Sequence, residues 1–132
     1  MSAADNGAPA VRPGHKPRGL GRLLLAFANS GKGLAGCWRE EEAFRQECLF
    51  AVAAIPAGLW LGHGGVERAL LIAPVLLILI VELLNSAIEV AIDRIGVERH
   101  ALSGLAKDLG SAAVLASFLL LASVWGLLLF GR

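Results

Sequence analysis

Twenty consecutive residues, from Ser111 to Phe130, contain no charged side chain. A helix of that length is about 30 Å long, which matches the hydrocarbon thickness of a bilayer. Because lipid offers the backbone no hydrogen-bond partners, a single segment of this kind must be helical. The composition agrees, since hydrophobic residues make up 56 % of the chain and charged residues 17 %, against about 25 % in soluble domains. The sequence predicts an all-α integral membrane protein.

Three apolar segments indicate three transmembrane helices, at about 45–62, 68–93 and 108–130. The first is the shortest and contains Pro56, which a membrane helix tolerates when neighbouring helices satisfy the freed backbone groups. The third contains the uncharged run and is the clearest. We expect these helices to form one domain over residues 19–132.

The amino-terminal region divides into a tail and a surface helix. Residues 1–18 are rich in proline and lack apolar periodicity, so we expect a disordered tail. Residues 20–38 place apolar side chains at helical spacing, which predicts an amphipathic helix lying in the bilayer interface. Gly31, Gly33 and Gly36 predict a break in that helix.

The distribution of positive charge predicts the orientation. A formal net charge of +1 gives no basic field for binding nucleic acid. Seven lysines and arginines lie in residues 1–47 and three in the loop at 93–109, whereas Arg68 and Arg132 stand alone in their segments. We therefore expect a cytoplasmic amino terminus and 93–109 loop, with the 62–68 turn and the carboxyl terminus outside.

Several familiar motifs are absent. Cys37 and Cys48 are too few for a disulfide framework and lack the spacing of metal ligands. The sequence contains no G-x-x-x-x-G-K-[ST], so ATP binding would need a site other than a P-loop. GKGLAG at 31–36 matches G-x-G-x-x-G, but no strand precedes it, and we treat the match as coincidence.

The second apolar segment ends in a polar stripe. Glu82, Asn85, Glu89 and Asp93 fall on one helix face, within an arc of roughly 80°. A carboxylate within the hydrocarbon costs about 2.5–3.5 kcal/mol even on the mild insertion scale. The stripe must therefore face protein, water or a cation.

Two explanations of the stripe remain open from the residues alone. Polar side chains can join helices by hydrogen bonds, which accounts well for Asn85 by itself. Three acids in register favour a divalent cation, because like charges one turn apart repel each other. Acids at 39–47 and cations at 93–108 lie on the same predicted membrane side. That combination suits phosphoryl transfer, although a solvated cytoplasmic rim explains most of these charges taken singly.

Three segments, EAFRQE (42–47), VELLNSAIEVAIDRIG (81–96) and ALSGLAKDLGSAAV (101–114), resemble the prokaryotic diacylglycerol kinase family, in its Gram-negative branch. The resemblance runs from about Arg22 to the carboxyl terminus. It implies a homotrimer with three transmembrane helices and one surface helix per subunit, and with active sites shared between subunits at the cytoplasmic face of a bacterial inner membrane. It also implies phosphorylation of 1,2-diacylglycerol by MgATP to give phosphatidic acid and ADP.

The resemblance also implies roles for individual residues. Glu82 matches the catalytic base, with Asn85 and Lys107 as further catalytic positions, while Glu41 and Glu89 match the Mg²⁺ ligands. Because three glutamates are consecutive, Glu40 or Glu42 is the alternative to Glu41. Asp93 matches a polar site position, and the nucleotide contacts are Arg22, Asn29, Glu41, Glu89, Glu98, Arg99, His100, Lys107 and Asp108. The lipid contacts are Arg22, Trp38, Ala43, Phe44, Arg45, Gln46, Glu47, Glu82 and Ser111.

The chain departs from the family pattern at Asn29 and Arg99, which stand where aromatic residues are usual, and both positions belong to the expected nucleotide contacts. Two other functions remain as alternatives. An undecaprenol kinase would run the same reaction on another lipid alcohol. A small oligomeric ion channel lined by the stripe would conduct without ATP.

Overall fold

A computed structural model describes residues 19–96 and 100–131, and the described chain is all-α. The four helices are α1 (Leu20–Glu40), α2 (Glu42–Leu61), α3 (Gly65–Ile95) and α4 (Ala101–Phe130). The all-α fold is as the sequence predicts. The tail at 1–18 lies outside the described residues.

Two of the four described helices, α3 and α4, are long and apolar enough to cross a membrane, judged by length and composition. Helix α2 is not one of them, because its first turns carry Arg45 and Glu47 and leave a shorter apolar stretch. Helix α1 buries none of its residues. The predicted second and third spans are thus supported, while the predicted first span stays a prediction.

The helix boundaries correct two expectations. Helix α1 runs without interruption through Gly31, Gly33 and Gly36, so the predicted break at these glycines is wrong. The interruption comes at Glu41, the single non-helical residue between α1 and α2. Helix α4 begins at Ala101, so residues 101–109, expected in a loop, are helical.

Helices α2 and α3 pack in an antiparallel register that small residues permit. A Cβ built on Gly58 would lie 3.1 Å from the Cβ of Leu71, so the two backbones approach closely there. Ala51, Ala54 and Val75 form a buried cluster further along the pair. Continuing this register towards the break at Glu41 brings Glu47 of α2 opposite Glu82 of α3, and both side chains are buried.

Helix α4 packs along α3, and two of the contacts bear on the site. The indole Nε1 of Trp125 donates a hydrogen bond of 2.9 Å to the Leu71 carbonyl oxygen. Near the other end of the pair, Gly110 lies directly against Asn85, and a Cβ at position 110 would overlap the Asn85 Oδ1 atom. The second contact brings α4 up to the polar stripe.

The chain divides into two compact units between Gly33 and Leu34. In the first unit, the described residues form the initial part of α1, with its side chains exposed. The second unit, Leu34 onward, contains the end of α1 and helices α2, α3 and α4. All the contacts described below lie within the second unit.

Candidate active site

Glu82 is the buried end of the polar stripe. Its side chain is only 4 % exposed, and it lies on the face of α3 that also buries Ile78 and Ser86. The negative charges of Glu41 and Glu89 both act on its carboxyl group. The Glu82 side chain is therefore buried within the protein, one of the three environments (protein, water or a cation) that the sequence allows for the stripe.

Glu47 adds a second buried carboxyl group opposite the first. The residue is 7 % exposed, and its Oε2 atom has no hydrogen-bond partner among the described residues. The negative charge of Glu82 acts on its carboxyl group. Family resemblance alone marked Glu47 as a lipid contact, and its residue pattern suggested only a charged rim. The clue available in the sequence was its spacing from Ala51 and Ala54, which puts it on the buried face of α2.

Asn85 links the stripe to α4. Its Nδ2 atom donates a hydrogen bond of 3.2 Å to Glu89 Oε1, and its Oδ1 atom is buried without a partner. Gly110 leaves the space that Asn85 occupies. The amide thus orients one carboxylate of the stripe, and its own position depends on a neighbouring helix.

Glu82 and Glu89 are seven positions apart on α3, or about 10 Å along the helix axis. Within residues 19–96 and 100–131, no group of three or more His, Cys, Asp or Glu side chains could hold a metal ion. Glu82 and Glu89 thus lie about two helical turns apart on α3.

Asp93 and Lys107 form the exposed end of the stripe. The Lys107 Nζ atom donates a hydrogen bond of 2.6 Å to Asp93 Oδ1, and the two side chains are 38 % and 65 % exposed. The charge of Glu89 also acts on Lys107. A lysine on α4 is thus held near the acids of α3 with its ammonium group accessible to an anion.

Cys37, near the end of α1, joins this region to α3. Its Sγ atom lies 3.6 Å from Ser86 Oγ, to which it donates a weak hydrogen bond. Burial raises the pKa of the Cys37 thiol, and the nearby charges of Glu41, Glu82 and Glu47 add to the effect. The thiol is therefore neutral at physiological pH. Its position shows that the end of α1 lies near the acidic residues of α2 and α3.

The structure distributes the expected lipid contacts among different environments. Phe44 is buried, whereas Trp38, Ala43, Gln46 and Ser111 are exposed. Gln46 also donates a hydrogen bond of 3.3 Å to Glu42. Arg45 bonds the backbone at the end of α1.

The expected nucleotide contacts are spread over several parts of the chain. Asp108 is exposed on α4 next to Lys107. His100 is the N-cap of α4, where its Nδ1 atom accepts a hydrogen bond of 3.2 Å from the Leu102 N–H group. Arg22 and Asn29 are exposed in the first compact unit. Glu98 and Arg99 lie outside the described residues.

The carboxylates fit a magnesium ion that shares its coordination with phosphate. Mg²⁺ in kinases is held by one or two carboxylates together with phosphate oxygens and water. Glu41 is the N-cap residue of α2, yet its side chain makes no capping hydrogen bond, so the carboxylate is not used by the helix end. Glu89 is oriented by Asn85. These are the two residues that suit such a site.

Taken together, the apolar helices and the cluster of partly buried acids define a helical membrane protein with a polar site at one end of its helix pairs. The profile of the prokaryotic diacylglycerol kinase family matches residues 28–129. The chain is 47 % identical over 114 residues to the diacylglycerol kinase of Escherichia coli (strain K12). The aligned region covers 86 % of this chain and 93 % of the relative.

Two other relatives agree. The diacylglycerol kinase of Haemophilus influenzae is 46 % identical over 116 residues, with 88 % of this chain and 98 % of the relative covered. That of Pseudomonas aeruginosa is 48 % identical over 113 residues, with 86 % and 92 % covered. The chain belongs to the prokaryotic diacylglycerol kinase family.

Proposed function

We propose that this chain transfers the γ-phosphoryl group of ATP to the free hydroxyl of 1,2-diacylglycerol, with Glu82 as the general base. The products are phosphatidic acid and ADP. The assignment to diacylglycerol is supported by relatives of that activity that match nearly their whole length. The single observation that carries the mechanism is the burial of Glu82 among other acids on an apolar helix.

Glu82 suits the base because it lies at the apolar end of the stripe. A lipid hydroxyl stays near the bilayer interface, so its proton must be accepted by a group placed at that depth. The hydroxyl oxygen then forms a bond to the γ-phosphorus as the bond to the β–γ bridging oxygen breaks. The proton passes to the Glu82 carboxylate, and the electron pair of the broken bond leaves with ADP.

Glu41 and Glu89 would hold Mg²⁺, and Asn85 orients Glu89 through its hydrogen bond. When bound, the ion neutralises charge on the β- and γ-phosphates. Lys107, which bonds Asp93, would supply a positive charge to the same phosphates. We assign Asp108, beside Lys107 on α4, to the nucleotide side of the site, and we propose the same for Arg22, Asn29, Glu98, Arg99 and His100 by family resemblance.

We further propose that α2 also spans the membrane, which gives three spans in all, that α1 lies on the cytoplasmic surface, and that the chain acts as a homotrimer in a bacterial inner membrane. The orientation follows from the lysines and arginines of residues 1–47. The trimer would cover the apolar side chains that α2 and α4 leave exposed, among them Leu49, Val52 and Leu115. Ser111 and the first turns of α2 would then face the lipid substrate.

Two isosteric variants test the separate roles proposed for Glu82 as general base and for Glu89 as magnesium ligand. Glu82→Gln should lower kcat for diacylglycerol by at least about a hundredfold, the usual scale of general base catalysis, with little change in the magnesium concentration needed. Glu89→Gln should instead raise that magnesium requirement. Full activity in Glu82→Gln would remove Glu82 from the role of base.

A further inference from the structure

The junction between α1 and α2 consists of one residue, Glu41. Its backbone is extended, with φ −106° and ψ 114°. Its N–H group donates a hydrogen bond of 2.8 Å to the Cys37 carbonyl, and its own carbonyl accepts one of 3.4 Å from the Arg45 N–H group. Glu41 therefore ends one helix and begins the next.

The local sequence does not explain this break. The nearest glycine is Gly36, which lies inside α1, and no proline lies between residues 18 and 55. Glutamate is a good helix former, so Glu40, Glu41 and Glu42 would be expected to continue a helix. An interaction other than backbone preference must therefore keep residue 41 out of the helical conformation.

Arg45 supplies that interaction. Its Nη1 atom donates hydrogen bonds of 3.0 Å to the Trp38 carbonyl and 3.2 Å to the Arg39 carbonyl. These carbonyls belong to the last turn of α1, where a helix leaves its carbonyl groups without intrahelical partners. A cation is also favoured at the negative end of a helix dipole. In an unbroken helix, the backbone N–H groups of residues 42 and 43 would take both positions.

We propose that Arg45 is a positioning residue for the magnesium-nucleotide site. By bonding the last carbonyls of α1, Arg45 maintains the break between α1 and α2, and this break orients the Glu41 carboxylate. The inference rests on the proposed function, in which Glu41 is a magnesium ligand. Closing the break would turn Glu41 away from its present direction, since side-chain directions in a helix follow the helical period. Family resemblance instead marks Arg45 as a lipid contact, and the two roles predict different kinetics.

Steady-state kinetics separate the roles. Arg45→Ala should raise the KM for MgATP about tenfold, the lower end of what losing a charged hydrogen bond costs, and leave the KM for diacylglycerol within about twofold. Arg45→Lys should recover much of the loss, because an ammonium group can also donate to both carbonyls. The matched control is Arg39→Ala, since the Nε atom of Arg39 bonds only the Ala35 carbonyl within α1, at 3.2 Å. A raised KM for diacylglycerol with an unchanged KM for MgATP would overturn the proposal.

Hydrogen exchange gives a readout that does not depend on activity. Amides in a peptide covering residues 36–46 should exchange about tenfold more slowly in Arg45→Ala than in Arg39→Ala, because closing the break gives the N–H groups of residues 42 and 43 helical partners, and Arg45→Lys should fall between them. Equal exchange in all three variants would overturn the proposal, even if one variant were poorly active. If the unmodified chain transfers no phosphate to diacylglycerol, the proposed function fails, while the exchange rates still decide whether Arg45 holds the break.

Discussion

Gly110 is the point at which α4 reaches the polar stripe, and Gly110→Ala changes the site without changing any side chain in it. The added Cβ would overlap Asn85 Oδ1 and lie 3.2 Å from Asn85 Cγ. The end of an asparagine side chain can move more easily than a helix backbone can. We therefore expect the amide of Asn85 to rotate away while the helices stay in place.

The cost of that rotation falls on Glu89. Asn85 would lose its 3.2 Å hydrogen bond to the Glu89 carboxylate, and a hydrogen bond to a charged group contributes about 1.5–3 kcal/mol. This corresponds to a decrease of about ten- to a hundredfold in kcat/KM for MgATP. The gain in helix propensity from glycine to alanine, about 1 kcal/mol, offsets part of the packing strain, so the folded state should persist.

The assay is ATP-dependent phosphorylation of diacylglycerol in mixed micelles, with thermal unfolding measured on the same samples. Gly104→Ala is the matched control, because Gly104 lies on the same helix and a Cβ there meets nothing within 4 Å. The control should keep full activity and be slightly more stable. If Gly110→Ala were as active as Gly104→Ala, the role assigned to Asn85 in orienting Glu89 would be wrong.

Three further variants or reactions address separate contacts. Lys107→Ala should raise the KM for MgATP with little effect on stability, because its partner Asp93 is well exposed; a loss of stability with unchanged kinetics would contradict this. Trp125→Phe should lower the free energy of unfolding by about 1 kcal/mol through loss of the hydrogen bond to Leu71, measured by denaturation in micelles, and an unchanged stability would count against that bond. Because burial raises the pKa of the Cys37 thiol, maleimide should label it more slowly than free cysteine at neutral pH and faster as the pH rises, measured with the other cysteine replaced by alanine; a rate equal to that of free cysteine would refute the burial.

Helical periodicity predicted which residues share a face but not how deeply each is buried. It grouped Glu82, Asn85, Glu89 and Asp93 correctly, since these positions need only the geometry of one helix. The structure adds a gradient along the face, from Glu82 at 4 % exposure to Asp93 at 65 %. That gradient depends on how closely the neighbouring helices cover each turn of α3, which the period of α3 alone does not give.

Contacts between helices were beyond the sequence pattern. Nothing in the period of α2 or α3 gives their relative rotation, so the position of Glu47 opposite Glu82 could not be predicted. The same holds for Gly110 against Asn85. The glycines at 31, 33 and 36 predicted a break from backbone preference, whereas the actual break at Glu41 coincides with the side-chain bonds of Arg45 to the end of α1.

The most direct test of the account is transfer of labelled γ-phosphate from ATP to a lipid alcohol in mixed micelles, with diacylglycerol and undecaprenol compared side by side. We predict magnesium-dependent labelling of diacylglycerol, a much lower kcat/KM for undecaprenol, and loss of both reactions in Glu82→Gln. Equal or better transfer to undecaprenol would reassign the acceptor. Absence of ATP-dependent labelling of either lipid would contradict the proposal that these acids form a phosphoryl-transfer site.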